Sequence, residues 1–182
     1  MIGHFFYEEQ VGAIVDCLRN ISLPFDLFVS VSETGEKLVS HLLTEVFPEK
    51  KVTVRVVENR GFDIAPFVCA FRDVYPSYDL VLKIHTKKSA HTFCLKTWGD
   101  YLFKNTAGFP EIVETILKMF EEDPQLGLVY PEMIPIFKKE LMKDPWQGNW
   151  EFCRILGERL GLLIEKEKAP EAAKSVETIE VE

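Results

Sequence analysis

Strand-like and helix-like segments alternate along this chain, and the alternation is the feature that most constrains its fold. Apolar, β-branched runs predict strands at residues 2–7, 26–31, 52–56, 79–85 and 126–130, and helical patterns separate them. The fourth run is apolar on both faces, as a central strand of a parallel sheet should be. The sequence therefore predicts an α/β fold with a mostly parallel sheet flanked by helices.

The segments between these strands carry apolar residues at helical spacing. Thr34 is predicted to cap the helix after the second strand, and residues 64–74 are predicted to form a helix with Asp63 at its N-cap. A last helix is expected to begin after Asn149. The predicted buried face of the helix after Thr34 consists of Leu38, Leu42, Leu43 and Val46.

The composition changes near residue 165. Residues 1–164 have the apolar content and periodicity of one α/β domain. Residues 165–182 contain six glutamates, three lysines and few large apolar side chains. Such a segment buries too little apolar surface to offset the entropy of ordering it, so an acidic, disordered tail is predicted.

Charge and hydropathy exclude several functions. A net charge of -8 disfavours a nucleic-acid binder, which normally carries a basic excess. No apolar run reaches the roughly 20 residues of a transmembrane helix, and the first residues lack an export signal. The expected location is the cytoplasm, including the inner face of the cell membrane. The four cysteines are dispersed, which predicts reduced, buried side chains.

Ligands of open α/β sheets bind outside the carboxyl ends of the strands. This rule selects Ser30 after the second strand and a loop of residues 58–63 after the third. The loop combines a glycine for a tight turn with a guanidinium for anions and an acid at a helix start. It consists of Glu58, Asn59, Arg60, Gly61, Phe62 and Asp63. A purely structural interpretation also fits, in which Gly61 makes the turn, Asp63 caps the helix and Arg60 pairs with Glu58.

A cluster of cations follows the fourth strand. His85, Lys87 and Lys88 lie within four residues, and residues 83–104 hold five lysines against one acid. Phosphate oxygens would suit such a cluster at the carboxyl edge of a sheet. The alternative is a solvated lysine turn next to a histidine with satisfied hydrogen bonds.

Four motifs resemble the rhamnan synthesis protein F family, a group of bacterial polysaccharide glycosyltransferases. They are ENRGFDIAPF at residues 58–67, YDLVLKIHTKKS at 78–89, WGDYL at 98–102 and LGLVYPE at 126–132. The resemblance covers roughly residues 2–164 and implies a fold similar to glycosyltransferase type A. Residues 1–164 would then be a glycosyltransferase-like domain.

The resemblance also implies a reaction: transfer of a sugar, rhamnose by the family's name, from a nucleotide sugar to a cell-surface polysaccharide. The implied partners are a donor such as dTDP-rhamnose and a polysaccharide or lipid-linked glycan acceptor. Glu132 is a weak candidate for the catalytic base, which is otherwise unassigned. The expected donor-binding residues are Ser30, Glu58, Asn59, Arg60, Gly61, Asp63, His85, Lys87 and Lys88.

The chain departs from the family in ways that affect these expectations. Type A glycosyltransferases commonly carry an Asp-x-Asp pair that holds a metal ion after the strand equivalent to residues 79–85, and no such pair occurs here. Metal-independent donor binding by Lys87 and Lys88 is therefore predicted, with no cofactor. Phe62 stands where the family usually has a basic residue, and the acidic tail replaces a further strand and loop. A non-catalytic module that binds a nucleotide sugar or a protein partner is the alternative.

Overall fold

The computed structural model describes residues 1–87, 98–132, 148–159, 161 and 173–176. It divides into two compact units, Met1–Thr115 and Ile116–Glu182. Helix Pro110–Glu122 crosses the boundary between them. No helix within the described residues is long and apolar enough to cross a membrane.

The first unit is built on a four-stranded parallel sheet. Its strands are β1 (Ile2–His4), β2 (Leu27–Val31), β3 (Val52–Val56) and β4 (Lys83–His85), in the order β3-β2-β1-β4. The predicted α/β fold with a parallel sheet is confirmed. The chain builds the sheet outward from β1 through β2 to β3 and then crosses back to place β4 on the other side of β1. The direction of winding therefore reverses between β1 and β4.

Helices cover one face of this sheet. They are α1 (Val11–Leu18), α2 (Glu36–Val46) and α3 (Trp98–Ala107), and helix α4 (Pro110–Glu122) comes next along the chain. The core on this face joins α1 and α2 to β2 and β4, with Phe103 of α3 also buried in it. Its fully buried members include Ile14, Leu18, Val29 and Leu43. Burying such side chains contributes about 1.5–3 kcal/mol each, so this layer dominates the stability of the unit.

The opposite face of the sheet is covered by a segment that forms only the first part of the predicted helix over residues 64–74. Residues 64 and 65 are helical and continue into a π-helical turn, Pro66–Ala70, and a 3-10 turn, Tyr75–Ser77, follows. Phe71 and Val74 of this segment pack against Ile2 and Phe28 of the sheet. Apolar packing therefore fixes the segment, and Pro66 lies at the start of the π-helical turn, where its missing N–H is tolerated.

Helix α2 also differs from its predicted form. Gly35, not Thr34, is at its N-cap, and the Thr34 hydroxyl lies 3.0 Å from that of Ser32 instead. Val39 and Leu43 form its buried face, whereas Leu38 is 53% exposed. Leu42 and Val46 pack, partly buried, against the same core, so the predicted face is confirmed except that Val39 replaces Leu38.

The second unit contains strand β5 (Leu128–Pro131), helix α5 (Trp150–Arg159) and strand β6 (Ala173–Val176). β5 and β6 pair in parallel as a separate two-stranded sheet. Helix α5 begins directly after Asn149, as predicted. β6 lies within the segment that was expected to be disordered, and most of that segment lies outside the described residues.

Candidate functional site

The winding reversal places the ends of β1 and β4 side by side. His4 and His85 are the last residues of these strands and are directly opposite each other in the register. In open parallel sheets, ligands bind at the carboxyl edge where the winding reverses, since the loops there diverge and leave a crevice. The architecture therefore points to the surroundings of His4 and His85.

His4 is held in place by Ser30 of the neighbouring strand. Nδ1 of His4 lies 2.9 Å from Oγ of Ser30, and this hydroxyl donates a hydrogen bond to the Gly3 carbonyl at 3.2 Å. Burial lowers the pKa of His4 below its ordinary value, so its ring is neutral near pH 7. Ser30 is only 1% exposed, so it serves here as the partner of His4. The expectation that Ser30 contacts a nucleotide-sugar donor stays a prediction.

Asp63 joins the loop to β4. Its carboxylate forms an ion pair with the Lys83 ammonium, and its Oδ2 lies 3.6 Å from Nδ1 of His85. All three side chains are between 23% and 28% exposed. Burial by itself would raise the pKa of Asp63, but the hydrogen bond from Lys83 and the nearby His85 outweigh it and lower that pKa. Asp63 is therefore ionised near pH 7.

His85 has the most displaced pKa in this group. Burial, opposed by Asp63 and assisted by the positive charges of Lys83 and Lys87, lowers the pKa of His85 to about 4. The imidazole is thus neutral near pH 7 and can both donate and accept hydrogen bonds. We call His4, Ser30, Asp63, Lys83 and His85 the polar cluster. The space that His4, Asp63 and Lys83 line is too tight for a water molecule.

The predicted capping role of Asp63 is wrong. The helical turn after it has Ala65 at its N-cap, with no side-chain hydrogen bond there. The Asp63 carboxylate is instead engaged by Lys83. A partly buried ammonium is a stronger partner for a carboxylate than the N–H groups of a short turn.

The rest of the 58–63 loop is open to solvent. Glu58 and Arg60 are exposed and 3.8 Å apart at their charged ends. Gly61 and Phe62 both have left-handed backbones, with φ of 71° and 55°. A side chain at Gly61 would collide with Ala65, so only glycine fits this turn. The purely structural interpretation of this loop predicted a turn at Gly61 and an ion pair between Glu58 and Arg60, and both are present.

A groove of about 420 Å³ adjoins this loop. Its size falls within the range of small-molecule sites, and its lining is mostly apolar with one acid and one base. The lining residues are Val57, Glu58, Arg60, Ala65, Pro66, Cys69 and Ala70. Cys69 is exposed, which corrects its predicted burial, whereas Cys17 and Cys153 are partly buried.

Lys87 is exposed, and the side chain of Gln10 fixes its backbone. The Gln10 amide donates to the Lys87 carbonyl at 2.8 Å and accepts from the Lys87 N–H at 2.7 Å. The buried Thr86 hydroxyl accepts a further hydrogen bond from the Tyr7 N–H at 2.9 Å. The chain after β4 is thus anchored up to Lys87. Lys88 lies outside the described residues.

The remaining expectations concern a metal and a base. Within the ranges that the structure describes, no group of three His, Cys, Asp or Glu side chains could hold a metal ion. Metal independence stays a prediction. Glu132 is partly buried and belongs to the second unit, and its role as a base also stays a prediction.

Comparison with known proteins decides the family. The family model for rhamnan synthesis protein F matches residues 1–179. The chain belongs to the rhamnan synthesis protein F family. It is also 30% identical over 141 residues to the uncharacterized protein WxcX of two strains of Xanthomonas campestris pv. campestris, B100 and ATCC 33913. The match covers 75% of this chain and 20% of WxcX, so the chain spans about a fifth of the length of these relatives. No solved structure gives a significant match.

In this member of the rhamnan synthesis protein F family, sequence reasoning missed His4, Lys83 and Gln10 as parts of the site. His4 was overlooked because the first strand was predicted to continue to residue 7, which moved its carboxyl end away from the histidine. Lys83 could have been found, since it precedes His85 by two residues and strand alternation places both on one face. Gln10 gave no local signal, because its partner lies 77 positions along the chain.

Proposed function

We propose that this domain binds a nucleotide-sugar donor at the carboxyl edge of its sheet and transfers the sugar, rhamnose by the family's name, to a cell-surface polysaccharide. The expected donor is dTDP-rhamnose and the acceptor a polysaccharide or lipid-linked glycan. A cytoplasmic domain, including one at the inner face of the membrane, would meet both substrates. The chain spans about a fifth of the length of its WxcX relatives, so the whole reaction is part of the proposal.

The placement of these groups after strands of one sheet carries the proposal. A small-molecule groove, the exposed Arg60 and the anchored Lys87 all lie on segments that leave the carboxyl edge of one parallel sheet. The groove offers apolar surface for rings, and the cations offer charge for a diphosphate. A nucleotide sugar combines these two chemistries in one ligand.

The proposed reaction needs a base and a stabilised leaving group. The acceptor hydroxyl loses its proton to a carboxylate while its oxygen forms a bond to the anomeric carbon, and the bond from that carbon to the donor phosphate breaks. The nucleoside diphosphate leaves with the electron pair. Arg60, Lys87 and Lys88 would stabilise its charge without a metal ion, and His85 would donate a hydrogen bond. The carboxylate that serves as the base is unassigned.

Calorimetry with dTDP-rhamnose and dTDP tests binding, first with a chelator and then with magnesium or manganese. Binding in chelator that weakens after Lys87→Ala/Lys88→Ala supports the proposal. Binding that appears only with metal contradicts the metal-independent form. Binding that survives the double substitution unchanged supports the solvated lysine turn.

Cys69 offers a second test, because it is an exposed thiol in the groove. The donor should slow its alkylation by a maleimide, read by peptide mass spectrometry, while Cys17 and Cys153 serve as internal controls. Equal rates of Cys69 alkylation with and without saturating donor would show that the donor does not bind in this groove. A product assay with a glycan acceptor then separates transfer from binding alone, and binding without transfer would favour the non-catalytic module.

A further inference from the structure

Phe62 combines two unfavourable features. Its φ of 55° lies in the left-handed region, which a bulky residue adopts only at an energetic cost. Its side chain is also 89% exposed, the most exposed of the large apolar residues in the described part of the chain. The turn at Gly61 and Phe62 fixes this backbone, but the fold gains little from a phenylalanine there, because the ring contributes almost no burial and asparagine or glycine would adopt the conformation at a lower cost. A bulky residue at a strained backbone position that gains no burial is a typical mark of a ligand-binding position.

Phe62 is also placed next to a candidate ligand site. It lies in the loop between Arg60 and Ala65, and both of these residues line the groove. Rotation about its Cα–Cβ bond would move the ring without displacing any packed neighbour, because so little of the side chain is buried. Phe62 is therefore free to close over a ligand in the groove.

We propose that Phe62 is a stacking residue that covers the nucleobase of the donor, which rests on the proposed function of the domain. A base fits better than a sugar, because the groove has only Glu58 and Arg60 as charged or polar side chains among seven lining residues. A hydroxyl-rich ring would leave most of its hydrogen-bonding groups unmatched in such a lining. A planar base can stack on an aromatic ring and needs few polar partners. The diphosphate then extends towards Arg60.

The structure predicts opposite effects of one substitution on stability and on binding. Phe62→Asn removes the ring and supplies a residue that tolerates the left-handed backbone, so Tm should rise by about 2 °C. The affinity for dTDP or UDP should fall at least about five-fold, because stacking is lost. The affinity for inorganic pyrophosphate should stay within about two-fold. Phe62→Trp is the matched control and should keep both Tm and dTDP affinity, with extra fluorescence quenching by the base.

Each outcome of this calorimetric and thermal series decides something. Equal dTDP affinity of Phe62→Asn and the wild-type chain overturns the stacking role and leaves the proposed function standing. A parallel loss of pyrophosphate affinity would mean that Phe62 only shapes the loop, which also overturns it. If dTDP-rhamnose binding weakens while dTDP binding does not, the ring covers the sugar, not the base. A wild-type chain that binds none of these ligands contradicts the proposed function itself.

Discussion

The polar cluster and the exposed end of the 58–63 loop meet at Asp63, yet they differ in almost every physical respect. In the polar cluster, partly buried charges are paired and the space between them excludes water. Along the loop, the side chains of Glu58 and Arg60 are more than 80% exposed, and their charged ends are 3.8 Å apart. The side chain of Phe62 is 89% exposed. A partly buried ion pair can be worth several times an exposed one, because solvent screens the exposed pair.

This contrast suggests a division of labour. The polar cluster holds the loop to the sheet through the contact of Asp63 with Lys83, and the loop presents side chains that can adjust to a ligand. Rigid support under an adaptable surface limits the entropy that binding must remove. Substitutions in the cluster should therefore change stability, whereas substitutions along the loop should change affinity.

The pH dependence of stability should show the largest effect, and it should come from His85. Its pKa is about 4 in the folded chain against an ordinary value of 6.5, so only the unfolded state takes up the proton between these values. Stability is therefore complete above pH 6.5 and falls as the pH drops towards 4, by up to about 3 kcal/mol. The lowered pKa of Asp63 acts in the same direction, because that stabilisation is lost when the folded carboxylate is protonated.

Urea denaturation at pH 7 and pH 5 measures this effect. His85→Gln should reduce the dependence between pH 4 and 6.5 to the smaller part that His4 contributes, because burial lowers the pKa of His4 as well. The control is His41→Gln at an exposed histidine, which should leave the dependence in place. Parallel pH curves for wild-type and His85→Gln chains would show that the ring is not held neutral by burial.

Breaking the ion pair of the polar cluster should have the next largest effect. Lys83→Met leaves the Asp63 carboxylate partly buried without its partner, and we expect a loss of about 2 kcal/mol in the free energy of unfolding. Asp63→Asn should cost a similar amount. The double variant should cost less than the sum of the two, since the pair is then replaced on both sides.

The exposed ion pair of Glu58 and Arg60 is the matched comparison for the double-mutant cycle on Asp63 and Lys83. The same double-mutant cycle on Glu58 and Arg60 should give a coupling below about 0.5 kcal/mol. Coupling of equal size at the two pairs would remove the distinction between cluster and loop.

A smaller effect on stability is expected from Gln10. This residue directly precedes α1, and its side chain connects that helix to the chain after β4. Gln10→Ala removes both hydrogen bonds to Lys87 and should cost about 1 kcal/mol, with faster hydrogen exchange of the Lys87 amide. Gln10→Glu keeps the acceptor for that amide, so its protection should largely survive. Unchanged exchange in Gln10→Ala would mean that another group protects the amide.

The sequence predicted the sheet well because alternating strands and helices leave a strong local pattern. It predicted less of the segment over the sheet, where the helix gives way to turns and Phe71 and Val74 pack against the sheet. The strand order could not be predicted either, because no local sequence pattern indicates that β4 pairs with β1. That order alone brings His4 beside His85.

Within the candidate site, the loop and Lys87 were found because their residue types and their place after strands suit anion binding. The role of Asp63 was misjudged, because a carboxylate before a helix suits an N-cap equally well and its partner Lys83 is 20 positions away. Long-range pairs of this kind depend on the tertiary fold and leave no trace in residue spacing.

The smallest effect on stability is expected from Arg60→Gln, and this variant tests the division of labour most directly. Arg60 is 84% exposed and its partner Glu58 is 3.8 Å away, so its removal should change the free energy of unfolding by less than about 0.5 kcal/mol. If the guanidinium contacts a phosphate, the affinity for pyrophosphate should still fall about ten-fold, because a charge-assisted hydrogen bond is lost. Glu58→Gln is the control on the same loop: it removes the opposite charge and should leave pyrophosphate affinity equal or slightly higher. Urea denaturation and calorimetry on the three chains separate the two quantities. A large loss of stability in Arg60→Gln, or equal pyrophosphate affinity in all three chains, would show that the loop's charge serves the fold and not a ligand.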